Sequence, residues 1–168
     1  MREILFRGKK KKTRGREVKW VYGAYYKQRQ FYGSKREEAC IITSDDGLVN
    51  DFALDYEEVI PETVGQFTGL YDKNGKRIFE GDIVKFFDMI GVVLFEEGCF
   101  GIVVNDIIDY DWLEEQILPV TGCDNLPYFL YNDNFISFWE LLWNYTAVDE
   151  QCDVCEVIGN IHDNPELL

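Results

Sequence analysis

A chain of 168 residues with 46% apolar and 15% aromatic side chains can bury a core, which argues against a disordered polypeptide and for one ordinary domain or a domain with an appendage. No apolar run approaches the roughly 20 residues that span a bilayer, and the start lacks a signal-peptide pattern. The formal net charge of −14 is divided unevenly: residues 1–36 carry 13 Lys or Arg and 2 acids (+11), whereas residues 37–168 carry 4 bases and 29 acids (−25). Such asymmetry fits a polyanion-binding arm on an acidic body, or two parts that attract each other within or between subunits. The expectation is a cytosolic protein whose five cysteines are reduced.

Taken in chain order, the first elements are strands. Ile4 and Phe6, then Val18, Trp20 and Tyr22, alternate with polar neighbours, the period of a half-buried strand. Between them GKKKKTRG reads as a charged hairpin loop bounded by Gly8 and Gly15. A further aromatic strand, GAYYKQRQFYG, ends at Gly33, and ACIITSDDGLVNDFALDYEEVIP reads as a strand, a turn at Asp45-Asp46-Gly47 and a short connection.

Residues 59–86, VIPETVGQFTGLYDKNGKRIFEGDIVKF, are the most patterned stretch. Pro61 has no amide for a ladder and ends the run at Val59 and Ile60. GQFTGLY is a strand, and DKNGK a tight turn in which Gly75 takes positive φ and Asp72 bonds its own backbone. RIF returns, Gly81 turns the chain again, DIVKFF follows, DMIG turns into VVLF, and EEGC into FGIVV. Short strands with turns between them predict a small barrel or sandwich. DIIDYDWLEEQIL reads either as an acidic helix or as a bent strand. In SFWELLWNY, Ser137 and Glu140 form a capping box before Phe138, Leu141, Leu142 and Tyr145 at helical spacing. CEVIGNI is the last strand, and HDNPELL a turn-rich tail.

The block at 59–86, the closing EVIGNIHDNPELL and the opening FRG…VKWVYG together resemble the YopX family of phage and prophage proteins. The lysine-rich first loop and the segment from about Asp106 to Asn134, which reads as an insertion, depart from the family pattern. The resemblance implies a mainly β protein with an SH3-like small barrel, acting in the cytoplasm of a bacterial host. It supplies no catalytic or cofactor residues. The expected organisation is an N-terminal β-hairpin region with a basic tip over residues 1–56. A barrel region with a short C-terminal helix follows over residues 57–168.

Candidate sites are few. Lys9, Lys10, Lys11, Lys12, Arg14 and Arg16 could grip nucleic-acid phosphates beside Trp20, Tyr22, Tyr25 and Tyr26; the plainer reading is a solvated hairpin tip. Aromatics on both faces of the predicted helix exceed one core's needs, so Phe138, Trp139 and Trp143 are candidates for a protein interface. Cys152 and Cys155 are the one CxxC; i,i+3 positions on a strand point to opposite faces, which disfavours zinc and redox roles alike. His162 sits among acids in a tail turn, and Asp109, Asp111, Glu114 and Glu115 lack the spacing of a calcium loop. The expectation is a non-enzymatic binding protein without cofactor or metal, its partner an unidentified host or phage protein or a second copy of itself. Nucleic acid is the alternative partner, and no membrane role is expected.

Overall fold

The computed structural model describes residues 4–11, 18–29, 37–43, 55–96, 98–105, 108, 109, 111, 115, 134–138 and 151–168. They fall into two compact units, Met1–Phe67 and Thr68–Leu168. Both are built almost wholly of β-strands, and among the described residues no helix is long and apolar enough to cross a membrane.

In the first unit β1 (Phe6–Lys9), β2 (Trp20–Arg29), β3 (Glu37–Ile42) and β4 (Tyr56–Glu58) pair antiparallel in that order. β5 (Gly65–Asp72) begins here, setting Gly65 and Gln66 against β1, and ends in the second unit. Alternation along the strands decides which side chains meet. Phe6, Val21, Tyr25 and Val64 pack on the fully or nearly fully buried Ala39, Ile41 and Val59. Burial of Ile41 or Val59 contributes about 1.5–3 kcal/mol each. Gly23 lets β2 pass close to β3, since a Cβ there would stand 1.8 Å from the Ile42 carbonyl oxygen.

The loop expected from Gly8 begins later. β1 runs on to Lys9, Lys10 bridges Val59, the Lys10 amide donates to the Lys19 carbonyl (2.9 Å) and the Lys11 amide to that of Glu58 (2.9 Å). The lysines stay extended because backbone on both sides satisfies them.

In the second unit the end of β5 forms a hairpin with β6 (Arg77–Phe79). β7 (Asp82–Phe86), β8 (Met89–Glu96), β9 (Cys99–Val104), β10 (Phe135–Ser137) and β12 (Cys155–Asn160) form one sheet ordered β10-β9-β8-β7-β12. β11 (Gln151–Cys152) runs parallel to β5. The core joins Leu70, Ile78, Val84, Phe86, Val93, Ile102 and Ile136 with Cys155 and Val157.

Two buried carboxylates build the turns of the patterned block. Asp72 Oδ1 accepts the amides of Asn74 and Lys76, both at 2.8 Å, and Gly75 between them has φ +76°. Asp82 Oδ2 accepts the Phe79 amide at 2.8 Å across Gly81, whose φ is +81°. The expected bends at these glycines are thus present, each with a carboxylate holding the amides that the bend leaves without ladder partners.

Two expectations change. The β7–β8 turn lies at Phe87–Asp88 rather than along 88–91, with Phe87 itself at φ +49° and Phe86 paired to Met89. Among the described residues the five-stranded sheet is open, with β10 and β12 at its edges, so the described strands do not close into a barrel. Ser137 ends β10 opposite Gly101 and Phe138 after it is helical, so the chain turns from strand to helix where the capping box was expected; the rest of the expected helix lies outside the described residues.

Candidate functional site

The face of the first sheet that points away from its core is the most chemically distinctive surface. Register sets Arg7 opposite Tyr22 and Lys9 opposite Trp20, and continues through Ala24–Ile42–Tyr56 and Tyr26–Cys40–Glu58. Period two therefore puts Trp20, Tyr22, Tyr26 and Tyr56 on one face, and turns Tyr25 inward against Phe6, at 5.5 Å between ring centroids. Tyr22 is 48% and Tyr56 44% exposed, and Tyr56 meets Tyr26 edge-on at 6.1 Å. Beneath them Cys40 is fully buried. Burial pushes its thiol pKa up, and burial likewise raises that of the Tyr26 hydroxyl.

Cations on this face are already engaged. The Arg7 guanidinium carbon lies 4.7 Å from the Trp20 ring centroid and Lys9 Nζ 5.5 Å from it, both in cation–π range. The Lys9 amide donates to Thr63 Oγ1 at 2.8 Å. Lys11 Nζ, also on this face, pairs with Glu58 Oε2 at 3.3 Å, and on the opposite face, shared with Ile41 and Val59, Lys10 Nζ pairs with Glu57 Oε1 at 2.5 Å. The attraction between basic arm and acidic sequence is thus realised inside this unit. Lys12, Arg14 and Arg16, the rest of the predicted tip, lie outside the described residues.

Of the predicted aromatic interface only Phe138 falls among the described residues. Phe138 is 3% exposed and belongs to the second unit's core, where a partner cannot reach it. Trp139 and Trp143 lie outside the described residues.

Cys152 and Cys155 correct the expectation of reduced thiols on opposite strand faces. They are joined by a disulfide, with Cα atoms 5.4 Å apart. The reason is a turn at Asp153–Val154 that ends β11 and starts β12, so strand alternation does not apply across the pair. His162 sits in the tail turn, its amide donating to Asn160 Oδ1 at 3.0 Å. Asp109, Asp111 and Glu115 are exposed, and Glu114 is outside the described residues. Among the described residues no three His, Cys, Asp or Glu side chains group closely enough to hold a metal ion.

Sequence reasoning passed over Arg7, Cys40 and Tyr56. Alternation could have placed Arg7 with Lys9, but Cys40 and Tyr56 join the face only through the register of β2 on β3 and β3 on β4.

Residues 5–125 match the protein family described as YopX protein, most of the 168-residue chain. The chain belongs to the YopX family. The matched span takes in β1 to β4 and the two carboxylate-held turns, so the exposed tyrosine face lies inside the YopX region of the chain. Among curated proteins none matches this YopX-family chain in sequence.

Proposed function

We propose that this YopX-family chain is a phage- or prophage-encoded, non-enzymatic adaptor. It works in the bacterial cytoplasm by binding another protein, with strands in an SH3-like arrangement. The observation that carries the reading is the tyrosine face: Tyr22 and Tyr56 are exposed on a hydrogen-bonded sheet, beside the half-buried Tyr26 and Trp20. Tyrosine brings large amphipathic contact area at little entropic cost, which suits protein interfaces. Family membership supports the phage origin. The test is affinity capture from host cells with the intact chain and with Tyr22→Ser/Tyr56→Ser. A partner, host protein or second copy, that is held by the first and lost by the second supports the reading; identical captures from both overturn it.

A second reading is nucleic-acid association. It is favoured by one observation, that Lys9 shares the face with Trp20, Tyr22 and Tyr26, where phosphates and bases could be held together. The pairing of Lys11 with Glu58 on the same face weighs against it, because a phosphate must displace a carboxylate.

A further inference from the structure

We propose that Cys152 and Cys155 are a redox modification site, a reversible clasp that fastens β11 to the second unit. Among the described residues β11 has few backbone partners, although Cys152 packs into the second unit's core. The strand has two residues, set by register against Tyr71 and Asp72, and the Gln151 side chain reaches the Lys73 carbonyl at 3.4 Å. β12 on the far side of the turn is held independently. It pairs with β7 from Cys155 to Asn160, the Lys73 amide donates to the Cys155 carbonyl (3.0 Å), and the Val157 amide donates to Asp72 Oδ2 (2.9 Å). The disulfide therefore ties a two-residue strand to the longer-paired β12 across a two-residue turn, and its opening loosens β11 while leaving the sheet intact.

Closing proceeds by thiol–disulfide exchange with a small disulfide such as oxidised glutathione. One cysteine thiolate attacks it, forming a mixed disulfide and releasing one glutathione thiolate. The second cysteine thiolate attacks the protein sulfur of the mixed disulfide, making the Cys152–Cys155 bond and releasing the second. The two cysteines lose two electrons, and the two glutathione thiolates take up the two protons. Opening is the reverse, driven by excess reduced glutathione. Cys152 is 3% exposed and Cys155 fully buried, so the exchange passes through a state in which β11 has lifted.

The experiment equilibrates the full chain in glutathione buffers from reducing to oxidising, unfolds it in maleimide, and locates the labels by peptide mapping. The chain has five cysteines, so labelling should move between five and three sites as the pair closes, with the change confined to Cys152 and Cys155. Amide hydrogen exchange on the two forms is then compared. On reduction Gln151 and Cys152 should exchange roughly 20-fold faster, the size that closing a four-residue loop gives, while Val157 and the β7–β12 amides keep their protection. The Cys152→Ser/Cys155→Ser double variant should show the fast rate in every buffer. A pair that stays unbonded across the whole range, bonded and reduced forms with equal exchange at β11, or loss of β12 protection together with β11 would each overturn the proposal.

Discussion

Asp72 and Val157 are 85 residues apart in sequence and joined by one hydrogen bond, from the Val157 amide to Asp72 Oδ2 at 2.9 Å. The other carboxylate oxygen holds the amides of Asn74 and Lys76, so one fully buried side chain shapes the β5–β6 turn and pins β12 to it. Asp72→Ala should destabilise the second unit by roughly 2–4 kcal/mol, because three amides lose their acceptor and the Val157 amide is buried. Asp72→Asn should cost less, about 1–3 kcal/mol, since Oδ1 can still serve the turn while its NH2 faces the Val157 N–H. Urea denaturation ranks the three proteins. Faster exchange of the Val157 amide alone in the Asn variant would locate the loss, and equal stability of all three would refute this role for Asp72.

Gly75 and Gly91 separate backbone strain from steric contact. Gly75 has φ +76° and a Cβ built on it meets nothing within 4 Å, whereas a Cβ on Gly91 would lie 2.5 Å from Ile102 Cγ2 and 2.6 Å from the Val103 carbonyl oxygen. Gly75→Ala should therefore cost about 1–2 kcal/mol through φ alone, and Gly75→Asn should recover part of it because Asn tolerates the left-handed region. Gly91→Ala should cost about 1–3 kcal/mol through displacement of β9, with no recovery by Asn. Thermal unfolding of the four variants checks the pattern; recovery by Asn at both sites would show that contact is not what excludes a side chain at Gly91.

These two glycine positions also mark what could be read from sequence. Gly75 was legible because the need for positive φ is local and Asn74-Gly75 with Asp72 behind it states the need. The Phe87 turn was not, since a phenylalanine at φ +49° carries no local signal; Phe86–Met89 pairing and the Phe86–Phe87 ring contact at 4.8 Å accompany it. Lys9, Lys10 and Lys11 read as loop because their partners, Glu57, Glu58 and Val59, come from a distant strand. The aromatic run of β2 was legible as a strand, but its register decides that Tyr25 goes to the core and Tyr26 to the outer face. The cysteine pair failed for the opposite reason: alternation was applied across a turn that Asp153–Val154 does not announce.

Cys40 gives the first unit an expected alkaline weakness. Burial holds its thiol pKa above the ordinary value, so the folded state keeps the proton to higher pH than the unfolded chain does. The stabilisation is complete below the ordinary thiol pKa and declines as pH rises from there through the folded value. Cys40→Ala should flatten that decline twice over, by removing the thiol and by shrinking the rise of the Tyr26 hydroxyl, which burial causes first and Cys40 adds to. Denaturation midpoints measured across the alkaline range test this; parallel curves for the two proteins would show that the thiol contributes nothing. Native maleimide labelling should also reach the half-buried Cys99 before Cys40.

The last prediction separates the two functional readings at the basic end of β1. Lys10 and Lys11 are partly exposed and paired to Glu57 and Glu58, so Lys10→Ser/Lys11→Ser should lower stability by no more than about 1 kcal/mol, the loss being smaller at high salt. Their backbone bonds to Lys19 and Glu58 are untouched by the change. A phosphate contacted by either lysine must displace its carboxylate, Glu58 from Lys11 on the tyrosine face or Glu57 from Lys10 on the other, which removes much of the gain that free lysines would give. Each phosphate contacted contributes about 0.7 to the slope of log affinity against log salt for a single strand. The expected result with a fluorescent oligonucleotide is therefore weak binding at physiological salt and a slope near zero, unchanged in the Lys10→Ser/Lys11→Ser protein. The tyrosine face, in contrast, should retain its protein partner in that variant, since Tyr22 and Tyr56 do not depend on those ion pairs for their exposure. Sub-micromolar oligonucleotide binding with a steep slope, lost together with Lys10 and Lys11 or with Tyr22 and Tyr56, would replace the adaptor reading with the nucleic-acid one.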